Sequence, residues 1–241
     1  WKALGAVLKQ TNRVSETLVS SQKVVEITPQ DAEAHNNLGI TLKELGRLEE
    51  SEASLRQAIA LKPDYAEAYN NLGITLQELG KLEQAEASYR QAMSLKPDYV
   101  EAHSNLGTTL QELGRLEESE ASYRQAIALK PDYAEAHNNL GITLKELGGL
   151  DESEASLRQA ISLKPDYAEA HGNLGSTLQE LGRLAEAEAS LRHAISLNPD
   201  YAEAHSNLGA TLQALVRLTE AEASLRYAIK LKPDFAEPHN N

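Results

Sequence analysis

Cysteine is absent from the 241 residues, and tryptophan, phenylalanine and methionine occur once each. Without cysteine there is neither a disulfide framework nor thiolate chemistry, a composition that fits a cytoplasmic location. No apolar run approaches the ~18 residues that a membrane span requires. Cationic charge is the other shortage: 23 Lys and Arg face 36 Asp and Glu, leaving a formal charge of −13. That balance argues against nucleic acid or an anionic membrane as the partner. No signal peptide opens the chain, and a start at Trp1 without methionine leads us to expect a fragment of a longer protein.

Seven of the eight prolines fall at one interval. Pro29, Pro63, Pro97, Pro131, Pro165, Pro199 and Pro233 are spaced by 34 residues, and a fixed period of this size marks a stacked repeat. Length alone would suggest one or two globular domains; the repeat replaces that expectation with a single elongated array over residues 1–241. Full units run over 32–65, 66–99, 100–133, 134–167, 168–201 and 202–235. Residues 1–31 are a degenerate first unit with a shortened first helix, and 236–241 begin an eighth.

Within one unit the apolar spacing predicts helix, turn, helix. Tyr69, Leu72, Gly73 and Leu76 recur at three- and four-residue steps on one face. Gly80 interrupts, Leu82, Ala85, Tyr89, Ala92 and Met93 form a second apolar face, and Pro97 closes the second helix. Asp64, Asp132, Asp166 and Asp200, each followed three residues on by Glu67, Glu135, Glu169 and Glu203, read as capping boxes that open the first helices. Tyr65, Tyr99, Tyr133, Tyr167 and Tyr201 are placed to staple those entries into the core.

Glycine in a helix costs roughly 0.5–1 kcal/mol relative to alanine. Its recurrence at Gly73 and equivalent positions therefore predicts a tight helix pair, with small residues such as Ala85 and Ala92 at the contact. Neither helix can bury its face alone, so units must stack. Val216 takes the turn position that Gly46, Gly80, Gly114, Gly148 and Gly182 hold elsewhere. If that turn needs positive φ, Val216 is strained.

The set Tyr69, Leu72, Gly73, Leu76, Ala85, Tyr89, Ala92 and Pro97 resembles the tetratricopeptide repeat, and the match extends along the whole chain. The resemblance implies an all-α, right-handed solenoid of stacked antiparallel helix pairs, with the first helices lining a concave groove. It also implies a protein-binding scaffold. The regular array and the opening WKALGAVLKQ are similar to bacterial arrays that precede a transferase domain, which would make the chain a substrate-recruiting arm.

No nucleophile elbow or phosphate loop is present, so we expect no catalytic residue and no cofactor. His35, His103, His137, His171, His205 and His239 occur once per repeat. Equivalent positions in stacked helices lie ~8–10 Å apart, too far to share an ion, so these histidines read as packed and hydrogen-bonded and no metal is expected. His193, where other units have Gln, reads as a surface variant. Ser51, Ser119 and Ser153 share a position with Ala85, Ala187 and Ala221 and read as small packing residues.

The candidate binding feature is a ladder at the sixth position of each unit: Asn37, Asn71, Asn105, Asn139, Asn173, Asn207 and Asn241. A carboxamide offers both a donor and an acceptor, so it can match a peptide backbone without reading side chains. With rungs ~10 Å apart and an extended chain rising ~3.3 Å per residue, one rung would serve about every third ligand residue. The arrangement resembles the asparagine ladder of the O-linked N-acetylglucosamine transferase. Lys43, Gln77, Gln111, Lys145, Gln179 and Gln213, at the twelfth position, add donors to the same face.

Glu33, Glu67, Glu101, Glu135, Glu169 and Glu203 make the edge of that face acidic, unlike repeats that clamp acidic tails with Lys or Arg. Two readings of the asparagines stand: they hold an extended peptide, or they bond within the scaffold. A separate possibility for the chain is self-assembly through open ends.

Overall fold

The computed structural model describes residues 14–232, which form thirteen α-helices and no strand. The helices are α1 (Val14–Ile27), α2 (Ala32–Glu44), α3 (Leu48–Leu61), α4 (Ala66–Glu78), α5 (Leu82–Leu95), α6 (Val100–Glu112) and α7 (Leu116–Leu129). They continue as α8 (Ala134–Glu146), α9 (Leu150–Leu163), α10 (Ala168–Glu180), α11 (Leu184–Leu197), α12 (Ala202–Ala214) and α13 (Leu218–Leu231). The first-helix half of the degenerate unit, and Asn241 and His239, lie outside the described residues.

The chain divides into two compact units, one reaching Gln125 and the other starting at Ala126. In the first, α2 pairs with α3 and α4 with α5; α3 then packs on α4, and α5 on α6. In the second, the pairs are α8 with α9, α10 with α11 and α12 with α13, joined by α9 on α10 and α11 on α12. First helices of consecutive repeats also touch, α2 with α4 and α4 with α6, and likewise α8 with α10 and α10 with α12. Each unit is thus a run of stacked helix pairs, the all-α solenoid expected.

One core layer shows how a repeat closes. Leu55, Leu72, Leu76, Ala85, Tyr89, Leu106 and Leu110 form a single buried cluster drawn from three successive repeats. A Cβ added at Gly73 would lie 2.5 Å from Tyr89 Cε1, and one at Gly141 would lie 2.6 Å from Leu157 Cγ. This corrects the expected contact. The glycine is a socket for a large side chain of the partner helix, and Ala85 lies in the same buried cluster as Tyr89.

The turn between paired helices is a Schellman closure. Gly46 N–H donates to Lys43 O at 2.8 Å and Arg47 N–H to Leu42 O at 2.9 Å. Gly46, Gly80, Gly114, Gly148 and Gly182 have φ of 71–83°. Val216 is forced to φ 62° in the same turn, where its N–H donates to Gln213 O and the Arg217 N–H to Leu212 O, both at 2.9 Å. The expected strain at Val216 is present.

The capping boxes do not form. Tyr65, Tyr99, Tyr133, Tyr167 and Tyr201 occupy the N-cap and make no side-chain cap bond. The aspartates stand one residue too early to reach the open N–H groups. Among the described first helices a carboxylate caps where aspartate replaces tyrosine, at Asp31, which accepts from Glu33 N and Ala34 N at 3.0 and 3.3 Å. The tyrosines instead turn half-buried rings inward, with Lys62, Lys96, Lys130 and Lys164 Nζ 4.6–5.0 Å from the ring centroids of Tyr65, Tyr99, Tyr133 and Tyr167. Burial, reinforced by neighbouring glutamates, pushes the Tyr99, Tyr167 and Tyr201 phenols up to about 12.

Candidate functional site

The first helix of each repeat carries two adjacent polar positions, the fifth and the sixth. At the fifth, Asn36, Asn70 and Asn138 are buried. At the sixth, Asn71, Asn105, Asn139, Asn173 and Asn207 are half-buried and Asn37 is exposed. The two positions are linked from repeat to repeat. Asn71 Nδ2 donates to Asn36 Oδ1 at 2.9 Å, Asn105 Nδ2 to Asn70 Oδ1 at 3.1 Å, and Asn173 Nδ2 to Asn138 Oδ1 at 2.9 Å. Asn138 Nδ2 in turn donates to Asn139 Oδ1 at 3.1 Å.

Those bonds orient the rungs. Each of Asn71, Asn105 and Asn173 spends one N–H on the scaffold and keeps its second N–H and its carbonyl oxygen. Asn207 differs: the preceding repeat has Gly172 at the fifth position, so no amide is there to receive it. The ring of Tyr201 fills that place, with Cε1 2.7 Å from where a Gly172 Cβ would stand.

The twelfth-position residues are knitted into the same surface. Gln77 Nε2 donates to Glu112 Oε1 at 2.6 Å, while its Oε1 accepts from Tyr89 Oη and Thr109 Oγ1, both at 3.2 Å. Gln179 Oε1 accepts from Thr211 Oγ1 at 3.2 Å. Lys43 reaches Glu78 Oε1 at 3.4 Å; Lys145 reaches Ser176 Oγ at 2.9 Å and Glu180 Oε1 at 3.4 Å. Gln111 also has a partner, and Gln213 is exposed. The donors foreseen at this position are therefore largely engaged between repeats. Glu44, Glu78, Glu112, Glu146 and Glu180 stand exposed beside it, and they belong to the same network: Glu78 meets Lys43, Glu112 meets Gln77 and Glu180 meets Lys145.

The histidines are bound as expected. Nε2 of His35, His103, His137, His171 and His205 donates to the carbonyl of Pro29, Pro97, Pro131, Pro165 and Pro199 at 2.9–3.1 Å. Among the described residues no three His, Asp or Glu side chains form a ready metal shell. Nor is any helix among them long and apolar enough to cross a membrane.

Two features escaped the sequence reading. The serines taken as packing residues are hydrogen-bonded as well as buried: Ser51 Oγ donates to Gly39 O at 2.7 Å, Ser119 Oγ to Gly107 O at 2.8 Å, and Ser153 Oγ to Gly141 O at 2.7 Å. The second helices also carry a regular ion-pair lattice. Glu52 is held by Arg56 four residues on and by Lys81 of the next repeat; Glu86 is held likewise by Arg90 and Arg115, and Glu188 by Arg192 and Arg217. The 34-residue register, read together with the helical step of four, was the signal that could have found it.

Comparison with known proteins agrees with this architecture. The family model described as tetratricopeptide repeat matches residues 31–98, and a TPR repeat model matches 109–148, 143–182 and 177–216. No curated relative matches the sequence. Among solved structures, a chain of the APC/C hetero-tetramer Cut9–Hcn1 superposes with a TM-score of 0.81 at 17% identity, covering 95% of this chain and 45% of that one. This chain thus spans less than half of that larger protein. PilW, a type IV pilus biogenesis factor, matches with TM-score 0.74 and 25% identity over 86% of this chain and 95% of its own. YrrB, described as a TPR protein with an unusual peptide-binding site, matches with TM-score 0.62 and 24% identity over 76% and 95%. With glycine sockets, Schellman turns and paired helices recurring at the spacing those models describe, the chain belongs to the tetratricopeptide repeat family.

Proposed function

We propose that the chain is a protein-interaction module whose first-helix face holds an extended peptide segment. Each unit carries its own run of rungs: Asn37, Asn71 and Asn105 in one, Asn139, Asn173 and Asn207 in the other. The observation that carries the reading is the tethering of Asn71, Asn105 and Asn173. One N–H of each amide is fixed by the preceding repeat, so the carbonyl and the second N–H are presented without further loss of rotamer freedom. A pre-organised pair of this kind suits a strand-like backbone. Scaffold bonding and ligand binding are then two uses of one side chain.

The rung carbonyls would accept from ligand N–H groups, which sets the experiment. A peptide selected by display against the chain should lose affinity when its backbone nitrogens are methylated at about every third residue. Loss that tracks side chains alone, with N-methylation tolerated throughout, would contradict the reading.

The resemblance to arrays preceding a transferase extends this proposal to a substrate-recruiting arm, and a transferase domain in the full-length reading frame is its test. A second reading, self-association, draws on α13, which leaves Leu218 62% and Ile229 42% exposed. Exposed apolar patches favour association. Sedimentation of a strict monomer at millimolar concentration would remove its support.

A further inference from the structure

One repeat departs from the ion-pair lattice of the second helices. Arg90, Arg158 and Arg192 each bring Nη2 to a glutamate of the next repeat, Glu118, Glu186 and Glu220, at 3.1–3.5 Å. At the equivalent place Arg56 meets a neutral amide, its Nη2 donating to Gln84 Oε1 at 3.2 Å. Lys81 lacks the same partner: Arg115, Arg183 and Arg217 hold the glutamate three residues on, whereas Lys81 is left with Glu52 at 2.7 Å. Arg56 and Lys81 therefore share one carboxylate, while Arg158 and Arg183 share two, Glu154 and Glu186. Glu83, one residue before Gln84, is exposed and makes no ion pair among the described residues.

A second exception falls in the same groove. The fourth residue of every described first helix is histidine except in α4, which has Tyr69. The histidines are tied to a proline carbonyl, whereas the Tyr69 hydroxyl has no such partner among the described residues. Arg56 and Tyr69 line one cavity of about 410 Å³, built from α3, α4 and α5, with Ile59, Leu72 and Ala87 as its apolar wall. None of the asparagine rungs lines it. We propose that this cavity is a docking site for a segment of a partner protein that carries a carboxylate beside a large apolar side chain.

The second unit shows what such a cavity holds. The corresponding space there, about 500 Å³, is lined in the same register by Arg158, Ile161 and Leu174. Its wall also includes the carboxylate of Glu186 and the rings of His171 and His193, whose centroids are 4.4 Å apart. In the first unit the matching positions are Gln84, Tyr69 and Gln91, so the acid and the second ring are missing. A partner's carboxylate at Arg56 takes the place that Glu186 holds at Arg158.

The chemistry at Arg56 suits that occupant. Its Nε and Nη2 lie on Glu52, and Nη1 makes no bond among the described residues. A carboxylate that displaces the Gln84 amide therefore gains charge-assisted bonds to the guanidinium. Ile59, Leu72 and the Tyr69 ring receive the apolar group, in a volume within the range of ligand pockets. The apolar wall supplies contact area, and the unmatched cation selects acidic over neutral partners. A chain with a formal charge of −13 repels acidic segments over most of its surface, which confines their docking to this groove.

The test titrates the acetylated, amidated tetrapeptide Gly-Glu-Phe-Gly into the whole nitrogen-15-labelled chain, with Gly-Gln-Phe-Gly and Gly-Glu-Ala-Gly as controls, and follows amide chemical shifts. The comparison protein is Gln84→Glu, an exposed change that supplies the missing carboxylate from the chain itself. The Glu-Phe peptide should shift the amides of Arg56, Tyr69 and Ser88, bind at least threefold tighter than either control, and lose at least threefold in affinity for Gln84→Glu. The triple variant Asn105→Ala, Asn139→Ala, Asn173→Ala should bind it as the wild type does, which separates this site from the asparagine face. Equal binding of the Glu and Gln peptides, or undiminished binding to Gln84→Glu, would overturn the acid-selecting site. Octanoate binding as tightly as the peptide would overturn the protein segment as its occupant.

Discussion

The amide of Asn71 donates to the carbonyl of Asn36, 35 residues earlier, at 2.9 Å. One residue of a rung therefore serves two repeats, and the fifth position of one repeat decides how the sixth position of the next is held. The same bond from Asn173 to Asn138 has a measurable consequence. Asn138 is 4% exposed, so Asn138→Ala should destabilise the chain by about 0.5–1.5 kcal/mol through loss of a part-buried hydrogen bond. The midpoint of urea unfolding reads this; an unchanged midpoint would mean the tie contributes nothing.

Val216 should be the cheapest site to improve. Its φ of 62° holds a β-branched residue in a region that costs a non-glycine residue about 1–2 kcal/mol. No atom stands within 4 Å of a Cβ at the equivalent glycines, so the cost is conformational and no contact is lost on removing the side chain. Val216→Gly should raise the melting temperature and slow amide exchange in α12 and α13. Lower stability would show that the exposed valine makes a contact after all.

At the glycine socket the opposite is expected. Gly141→Ala places a methyl 2.6 Å from Leu157 Cγ and 3.3 Å from the Ser153 carbonyl oxygen, and overpacking of this kind costs about 1–3 kcal/mol. A double-mutant cycle with Leu157→Val should return part of that loss, because the shorter side chain vacates the socket. Simple additivity of the two changes would place the clash elsewhere.

The ion-pair lattice makes stability depend on acid pH. Glu52 accepts from Lys81 at 2.7 Å and Arg56 at 2.9 Å. The Lys81 bond, with Arg56, holds its carboxyl below the ordinary carboxylate value despite partial desolvation. A lowered folded-state pKa gives stability that is present above the unfolded value and lost as pH falls through the folded one. Glu52→Gln should therefore cost about 0.2–1 kcal/mol at neutral pH, and the difference from wild type should begin to shrink as pH falls below the unfolded value of about 4.3 and vanish only once pH is below the lowered folded-state value. A difference independent of pH would assign the effect to packing.

The fold was legible because its signal repeats: glycine, leucine, alanine and proline at one spacing leave a single architecture. What the sequence did not disclose depended on one-residue offsets and on pairs 12–35 residues apart. Asp64 looks like a cap until Tyr65 is seen to occupy the N-cap, a position the ring takes for burial. Ser51 looks like a space-filler until its hydroxyl is seen on Gly39 O. The ladder was visible as a column of asparagines, but its coupling to Asn36, Asn70 and Asn138 required knowing which faces of successive helices meet. His193 was visible only as an exception to glutamine, since nothing linear places it against His171.

One comparison separates ligand binding by the rungs, as proposed, from a purely structural role. Asn105→Ala, Asn139→Ala and Asn173→Ala together remove rungs; Asn70→Ala and Asn138→Ala together remove only their scaffold partners. Both proteins lose the bonds Asn105–Asn70 and Asn173–Asn138, so both should be destabilised to a similar degree. Affinity for a set of unrelated extended peptides, measured after circular dichroism shows both variants folded, should fall at least tenfold across the set in the rung triple, and only slightly in the partner double. Equal affinities for the two variants would contradict the claim and leave the asparagines as scaffold alone.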